Sequence, residues 1–360
     1  MLKSIQAFIS NSAKAKAEFQ TGLLPQILDL IRLRPNGVGI SDYYKYKLYD
    51  PKIAGSMAVK KTYRGWRFKN ELRHFSDRQI QGIAFHKHIL YRLLTSFGLP
   101  VPHIFALYCP TPNGFERHRA MRAKTELERY LRETDQWPIF GKPSNASHGF
   151  GAIGIRARLE DGRFLLADET VVDLRELVDR IDTIAREVGT YMFCEFLQPS
   201  DFFKNICGST LPSNRIVVLV RQGVPELYKA LVLLPQTKRH VSNFQGGRNR
   251  SLSAGVDLES GTLFRVIDSD FNPMQHHPAS GTKVEGLQLP EWSAAKTLIL
   301  EAAMALSPFR MQHWDISYTT RGPVILEMNF IGDIDSMQMH GPPGLYTEQF
   351  KSFSETQKKW

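Results

Sequence analysis

The decapeptide RGPVILEMNF (321–330) puts a carboxylate and an amide on an otherwise apolar strand. The period of two along a strand places Glu327 and Asn329 on one face, with Met328 turned to the other. A carboxylate at the end of the buried run Val324–Ile325–Leu326 either emerges into water or is held by a cation, because burying it unpaired is costly. Just upstream, HWDIS carries Asp315 on a second apolar run, and TTRG between the two reads as a hairpin turn. Cross-strand neighbours lie about 5 Å apart, so Asp315, Glu327 and Asn329 can converge. Two carboxylates and an amide oxygen suit a hard cation such as Mg²⁺, whose remaining positions go to water and to substrate phosphates.

Phosphates need their own partners. WPIFGKP (137–143) reads as a short strand carrying Lys142, and SNASHGFGAIGI (144–155) follows as a turn with Gly149, Gly151 and Gly154 before another strand. A lysine beside backbone N–H groups that a Gly-rich turn can aim inward suits phosphate oxygens. Taken alone, the stretch reads as a plain hairpin rather than as a phosphate loop.

These residues require elements to position them. Residues 1–34 read as helical, ending before Pro35. Gln79–Phe97 follows helical spacing and stops at Gly98, with Pro100 and Pro102 beyond it. A polar stretch, 111–136, precedes the Lys142 strand. Residues 171–189 read as a helix, 190–199 as a strand leaving it, and 215–234 as a hairpin around QGVP. Residues 292–306 read as the last long helix before the Asp315 hairpin. Helices mixed with antiparallel hairpins predict an α+β architecture of several lobes. SDYYKYKLYDP (41–51) is explained equally by packing at a lobe surface and by recognition.

At 360 residues, with 42% hydrophobic and 23% charged residues, the chain has the composition of a soluble protein with two or three lobes. Its longest apolar runs, such as LVLL (231–234), fall far short of the roughly 20 residues that span a bilayer. The N-terminal stretch has no signal-peptide pattern and reads as an amphipathic helix. Three unpatterned cysteines, Cys109, Cys194 and Cys207, imply neither a disulfide framework nor a zinc site and point to the cytoplasm. The net charge of +10 is uneven: residues 1–140 hold 23 Lys/Arg against 11 Asp/Glu, the remainder 23 against 25. No nucleic-acid motif accompanies the basic third, so no nucleic-acid partner is expected; the scattered basic residues read first as a solvated face, with contact with an anionic surface left as the alternative.

In order along the chain, FGKP with SHGFGAIGI, CEFLQ, NRIVVLV, SNFQGG, HWDI and RGPVILEMN resemble the ATP-grasp ligases. The ending resembles the ribosomal-modification glutamate ligases, while SNFQGG, VDLESG (256–261) and HPASG (277–281) resemble the sugar-transfer-associated branch. The resemblance covers about residues 80–345. It implies an ATP-grasp fold in which two α+β lobes grip a nucleotide, with a helical N-terminal region at 1–100, a lid lobe at 101–198 and a metal-bearing lobe at 199–360. It implies ATP and Mg²⁺ as cofactors and an ADP-forming ligation of a small carboxylic acid to an amine, free or glycan-linked, in polysaccharide or small-metabolite biosynthesis. A phosphotransferase and a nucleotide-binding pseudoenzyme remain as alternatives.

Residue by residue, the resemblance matches Lys87 and Lys142 to the two nucleotide-binding lysines. Lys87 departs from the family pattern in following His86 rather than an aspartate. Ser147, Gly149 and Gly151 fall on the loop over the phosphates, and Glu195, Phe196 and Leu197 on the segment whose backbone meets the adenine edge. Arg215 matches the catalytic arginine at the γ-phosphate and the developing acyl phosphate. Asn243 matches a loop lining the site, and Asp315, Glu327 and Asn329 match the metal ligands. Asp201 is the candidate for the acid on the ribose. His276, His277 and His313 show no recurring ligand spacing.

Overall fold

The computed structural model describes residues 2–77, 79–112, 114, 116–146, 149–236 and 251–357. The fold is α+β and rests on two antiparallel six-stranded sheets.

The first sheet runs in the order β1 (Ile104–Tyr108), β6 (Tyr191–Glu195), β2 (Ile139–Pro143), β3 (Ile153–Arg158), β4 (Phe164–Leu166) and β5 (Val171–Val172). Leu127 and Leu131 of α9 (Lys124–Glu133) pack against it. So do Leu177, Val178, Ile181 and Ala185 of α10 (Leu174–Val188), which recur at helical spacing. Two local expectations change here. The polar stretch 111–136 contains α9, whose Glu126 accepts the backbone N–H groups of Arg122 and Ala123 at its start. The predicted helix at 171–189 begins only at Leu174, because Asp173 caps it and accepts Glu176 N–H at 2.8 Å. The β-branched pair before it joins the sheet instead, opposite Phe164 and Leu165.

The second sheet runs β10 (Leu263–Ile267), β9 (Ser251–Val256), β8 (Val224–Pro235), β7 (Ser213–Arg221), β11 (Met311–Thr319) and β12 (Gly322–Asn329). The two predicted hairpins are its centre. One face packs on α12 (Trp292–Ala305) through Ile216, Val218, Val232, Trp314 and Ile316. The other presents Val217, Leu219, Leu231 and Met311 to Leu345 and to Phe350 and Phe353 of α13 (Glu348–Gln357). The short helix α11 (Asp201–Cys207) joins the two sheets.

The N-terminal region is helical but interrupted: α1 (Leu2–Phe19), α2 (Leu23–Leu33), α3 (Ile40–Lys45), α4 (Pro51–Ala54), α5 (Met57–Lys60), α6 (Lys69–Leu72), α7 (Gln81–Phe85) and α8 (Lys87–Ser96). The expected continuous helix over 1–34 breaks at Gln20, which has φ near 55°, and the one over 79–97 breaks at His86. Tyr43 and Tyr46 from SDYYKYKLYDP are not surface residues. With Leu33, Val38 and Tyr63 they form a small core of their own. Leu90, Tyr91 and Leu94 of α8 belong to a core that holds α12 and also Leu107, Met192 and Cys194 of the first sheet, so α8 packs where the two sheets meet.

Candidate nucleotide site

One transverse row of the second sheet assembles the chemistry. Glu327 on β12 pairs with Asp315 on β11, which pairs with Arg215 on β7. Directly opposed residues of an antiparallel sheet share a face, so the three side chains meet there. Arg215 grips Asp315 as a fork: Nε donates to Oδ1 and Nη2 to Oδ2, both at 2.7 Å. Asn329, two residues beyond Glu327 on the same face, donates from Nδ2 to Glu327 Oε1 at 3.0 Å. That leaves its amide oxygen as a donor toward an ion.

The electrostatics are those of charges taken out of water and paired. Burial opposes the Arg215 charge, but Asp315, with Glu327 and Asp333 behind it, outweighs burial and holds its pKa above the usual arginine value. Burial raises the Asp315 pKa against the pull of Arg215. At Glu327, burial alone would do the same, but Lys87 and the hydrogen bonds with Asp315 and Asn329 outweigh it, and the pKa falls. The two carboxylates therefore titrate as an unequal pair.

Both lysines reach the same place from other elements. Lys87, the first residue of α8, lies 3.2 Å from Glu327 Oε2 and donates to Ala146 O at 2.7 Å. Lys142 on β2 donates to the Tyr91 hydroxyl at 2.9 Å, and Tyr91 in turn donates to Leu326 O at 2.6 Å. Tyr91 thus ties the lysine of the first sheet to the carboxylate strand of the second. Sequence reading missed it; the available signal was its place four residues after Lys87, on the same helix face.

The Gly-rich turn departs from ordinary backbone, with Gly149 at φ +70° and Gly151 at φ +67°. A Cβ at Gly151 would lie 2.8 Å from Ile184 and 3.0 Å from Pro143, so glycine is required there. Its carbonyl accepts from Tyr191 OH at 2.9 Å.

A cleft opens between the two sheets. Lys87, Lys142, Asp315 and Glu327 line it, with the turn at Gly149 and Phe150 above and Phe140, Phe196, Leu197 and Leu326 as apolar walls. Glu195 lines it as well, but its carboxylate accepts from Arg321 Nη2 at 2.7 Å and its backbone N–H donates to His103 O at 2.9 Å. The segment 209–211 and Ser213 complete the wall, a contribution no sequence motif announced. Asp201 lies exposed in the first turn of α11, outside the lining. Ser147 and Asn243 fall outside the described residues.

Other candidates resolve as structure. Cys194 is buried, burial raises its thiol pKa to about 11, and its Sγ donates to Phe140 O at 3.1 Å. His277 is buried with Nε2 3.0 Å from Pro235 O. His313 is fully buried opposite Asn329, and neither ring nitrogen has a hydrogen-bond partner among the described residues; burial, with Arg215 and Lys69 nearby, lowers its pKa to about 3. Among the described residues, no group of three His, Cys, Asp or Glu side chains could hold a metal ion. A cation here would depend on Asp315, Glu327 and the Asn329 amide, completed by oxygens of a bound phosphate. That donor set fits Mg²⁺, with Asp315 shared between the ion and Arg215.

A model of the sugar-transfer associated ATP-grasp family matches residues 69–353, which takes in both sheets and every described residue of the cleft. The chain belongs to this family. No curated protein matches its sequence. Among solved structures it is similar to the VanG D-Ala:D-Ser ligase from Enterococcus faecalis, with 12% identity, a TM-score of 0.46, and coverage of 79% of this chain and 62% of that one. The D-alanine–D-alanine ligase from Helicobacter pylori gives 11% identity, a TM-score of 0.42, and coverage of 76% and 60%. The ATP-grasp ligase PsnB, solved with a minimal precursor, gives 13%, 0.40, and 78% and 64%. The chain spans about six-tenths of the length of each of these proteins. Membership in an ATP-grasp family implies ATP use, and the cleft between the sheets is where its charged residues gather.

Proposed function

We propose that this sugar-transfer associated ATP-grasp protein is an ADP-forming carboxylate–amine ligase that works through an acyl phosphate. The observation that carries this reading is that Lys87, Lys142, Asp315 and Glu327 line one apolar-walled cleft, with Arg215 forked onto Asp315. The adenine lies between Phe140, Phe196, Leu197 and Leu326, against backbone at 195–197. The phosphates would lie toward Lys87, Lys142 and the turn at Gly149 and Gly151. Mg²⁺ held by Asp315, Glu327 and Asn329 would neutralise phosphate charge.

A carboxylate is a poor electrophile because its oxygen leaves badly. In the proposed reaction a substrate carboxylate oxygen attacks the γ-phosphorus, and the bond to the bridging oxygen breaks with its electron pair going to ADP. The amine nitrogen then attacks the acyl carbon, phosphate departs with the C–O electron pair, and the nitrogen loses a proton. Lys142 and Arg215 favour these steps by balancing charge on the transferred phosphoryl group. The residues divide into an N-terminal region at 1–100, a lid lobe at 101–198 and a metal-bearing lobe at 199–360. The substrates are a small carboxylic acid and an amine, free or glycan-linked, and the setting is the cytoplasm.

The test is product analysis of ATP turnover with panels of acids and amines, with and without hydroxylamine. ADP, phosphate and an acid-dependent hydroxamate are expected. AMP with pyrophosphate would overturn the reading. ADP with a stable phosphorylated acceptor and no hydroxamate would make the protein a phosphotransferase.

A further inference from the structure

Helix α2 is turned inside out. Its polar residues Gln26 and Asp29 are buried together with Leu33, while Leu23, Leu24, Ile27, Leu28 and Ile31 are exposed, Leu24 by 66% and Ile31 by 64%. The inward polar side is fully engaged. Gln26 Nε2 donates to Thr21 O at 2.9 Å, and its Oε1 accepts from Tyr44 OH at 2.7 Å. Asp29 accepts from Tyr43 OH at 3.1 Å and is salt-bridged to Lys60. A helix that satisfies its polar residues against the protein and leaves five aliphatic side chains in water presents an apolar stripe for something else to cover. Ile9 on α1, which packs against α2, is exposed as well.

The surrounding charge says what covers it. Residues 1–36 hold Lys3, Lys14, Lys16, Arg32 and Arg34 against Glu18 and Asp29. Asp29 is turned inward to Lys60, so the exposed side of α2 shows Arg32, with the exposed Arg34 just past its end, and no acid. Neither arginine has a salt-bridge partner among the described residues. Trp66, 63% exposed with the exposed Lys61 and Arg67 close by in sequence, stands next to the end of α2, because Gly65 N donates to Asn36 O at 3.2 Å. An aliphatic stripe flanked by an exposed tryptophan and by cations matches the depth profile of a bilayer surface: acyl chains, then interface, then anionic headgroups. A second copy of the chain would set these cations against their own kind.

We propose that α2, with Trp66 and the neighbouring lysines and arginines, is an in-plane anchor that seats the protein on an anionic lipid bilayer. The protein would lie on the membrane rather than cross it: among the described residues no helix is long and apolar enough to span one. The anchor lies ahead of residue 69, outside the part of the chain that matches the family. It is nonetheless fixed to the nucleotide site. Lys45 is salt-bridged to Asp335 at 2.6 Å, and Arg64 N donates to Gln338 Oε1 at 2.7 Å, both in the segment that follows the Asn329 strand. The proposal does not depend on which reaction the cleft performs.

The experiment is co-sedimentation of the full chain with vesicles of equal parts phosphatidylcholine and phosphatidylglycerol, beside vesicles of phosphatidylcholine alone. Binding to the anionic vesicles is expected, weaker by about tenfold or more without phosphatidylglycerol or in high salt. The double variant Leu28→Gln/Ile31→Gln should lose about tenfold or more in binding while keeping its melting temperature, since both side chains already face water. Independently, brominated lipid should quench wild-type fluorescence more than that of Trp66→Phe. Absence of binding to anionic vesicles would overturn the proposal, as would undiminished binding of the double variant. A lipid-free dimer that the double variant dissociates would assign the face to a second copy instead.

Discussion

At the scale of single residues, the Arg215–Asp315 fork separates the two carboxylates in a way their spacing does not reveal. Glu327→Gln removes a charge that Lys87, Asn329 and Asp315 surround, and its neighbours stay hydrogen-bonded. ATP consumption should fall by about 10²- to 10³-fold, with the melting temperature nearly unchanged. Asp315→Asn also strips the partner from a buried guanidinium. It should therefore lose activity and, in urea titration, about 3–5 kcal/mol of stability. Equal stability of the two variants would show that the fork is not a buried pair in solution. Tyr91→Phe removes the hydroxyl that holds Lys142 and leaves Leu326 O without its donor. A several-fold rise in the KM for ATP is expected, together with a stability loss of about 1–3 kcal/mol. An unchanged KM would separate Tyr91 from the nucleotide.

At the scale of elements, the turn between β2 and β3 couples glycine geometry to the closing of the cleft. Gly151 needs a positive φ, and a Cβ there would press on Ile184 of α10 and on Pro143. Gly151→Ala should cost about 1–3 kcal/mol in denaturant unfolding and should raise the KM for ATP, because the turn over the phosphates must shift. If ATP orders this turn, hydrogen exchange at Gly149–Ala152 should slow when Mg-ATP is added. Protection already complete without nucleotide would mean that the turn is preformed. The hairpin of β11 and β12 was legible in advance, since apolar runs of strand length flank TTRG and its acids fall on one face at a spacing of two. The helix α9 was not, because its stability comes from Glu126 at its start and from Leu127 and Leu131 meeting a sheet not visible in the local pattern.

At the scale of the whole molecule, neutral histidines are buried between elements. His340 Nδ1 donates to Arg265 O at 2.9 Å and its Nε2 accepts from the Ser253 hydroxyl at 2.7 Å, and burial lowers its pKa to about 3. Burial lowers His88 to about 4. In the unfolded chain both should titrate near 6.5. Below that pH the unfolded state binds more protons than the folded one, so stability is full above 6.5 and falls as pH drops toward 3–4. Each group should contribute a slope of up to about 1.4 kcal/mol per pH unit in that window. His340→Gln should be less stable at neutral pH but show a shallower acid slope in thermal melts across pH. An unaltered slope would assign the acid lability to other groups.

The sequence by itself determined what depends on neighbours along the chain: the α+β class, the two hairpins of the second sheet, the Gly-rich turn after Lys142, and the shared face of Glu327 and Asn329. Those follow from periodicity and turn chemistry, which act over a few residues. Only the tertiary structure decided which distant groups meet. Arg215 and Asp315 are a hundred positions apart, and their fork exists because β7 and β11 are neighbours in register. Lys142 faces Tyr91 and Leu326 because α8 wedges between the two sheets' strands. The helical reading of residues 1–34 did not say which way the apolar stripe of α2 would face. Its direction was set by Tyr43, Tyr44 and Lys60, whose polar groups capture Gln26 and Asp29 and turn the aliphatic face to the outside.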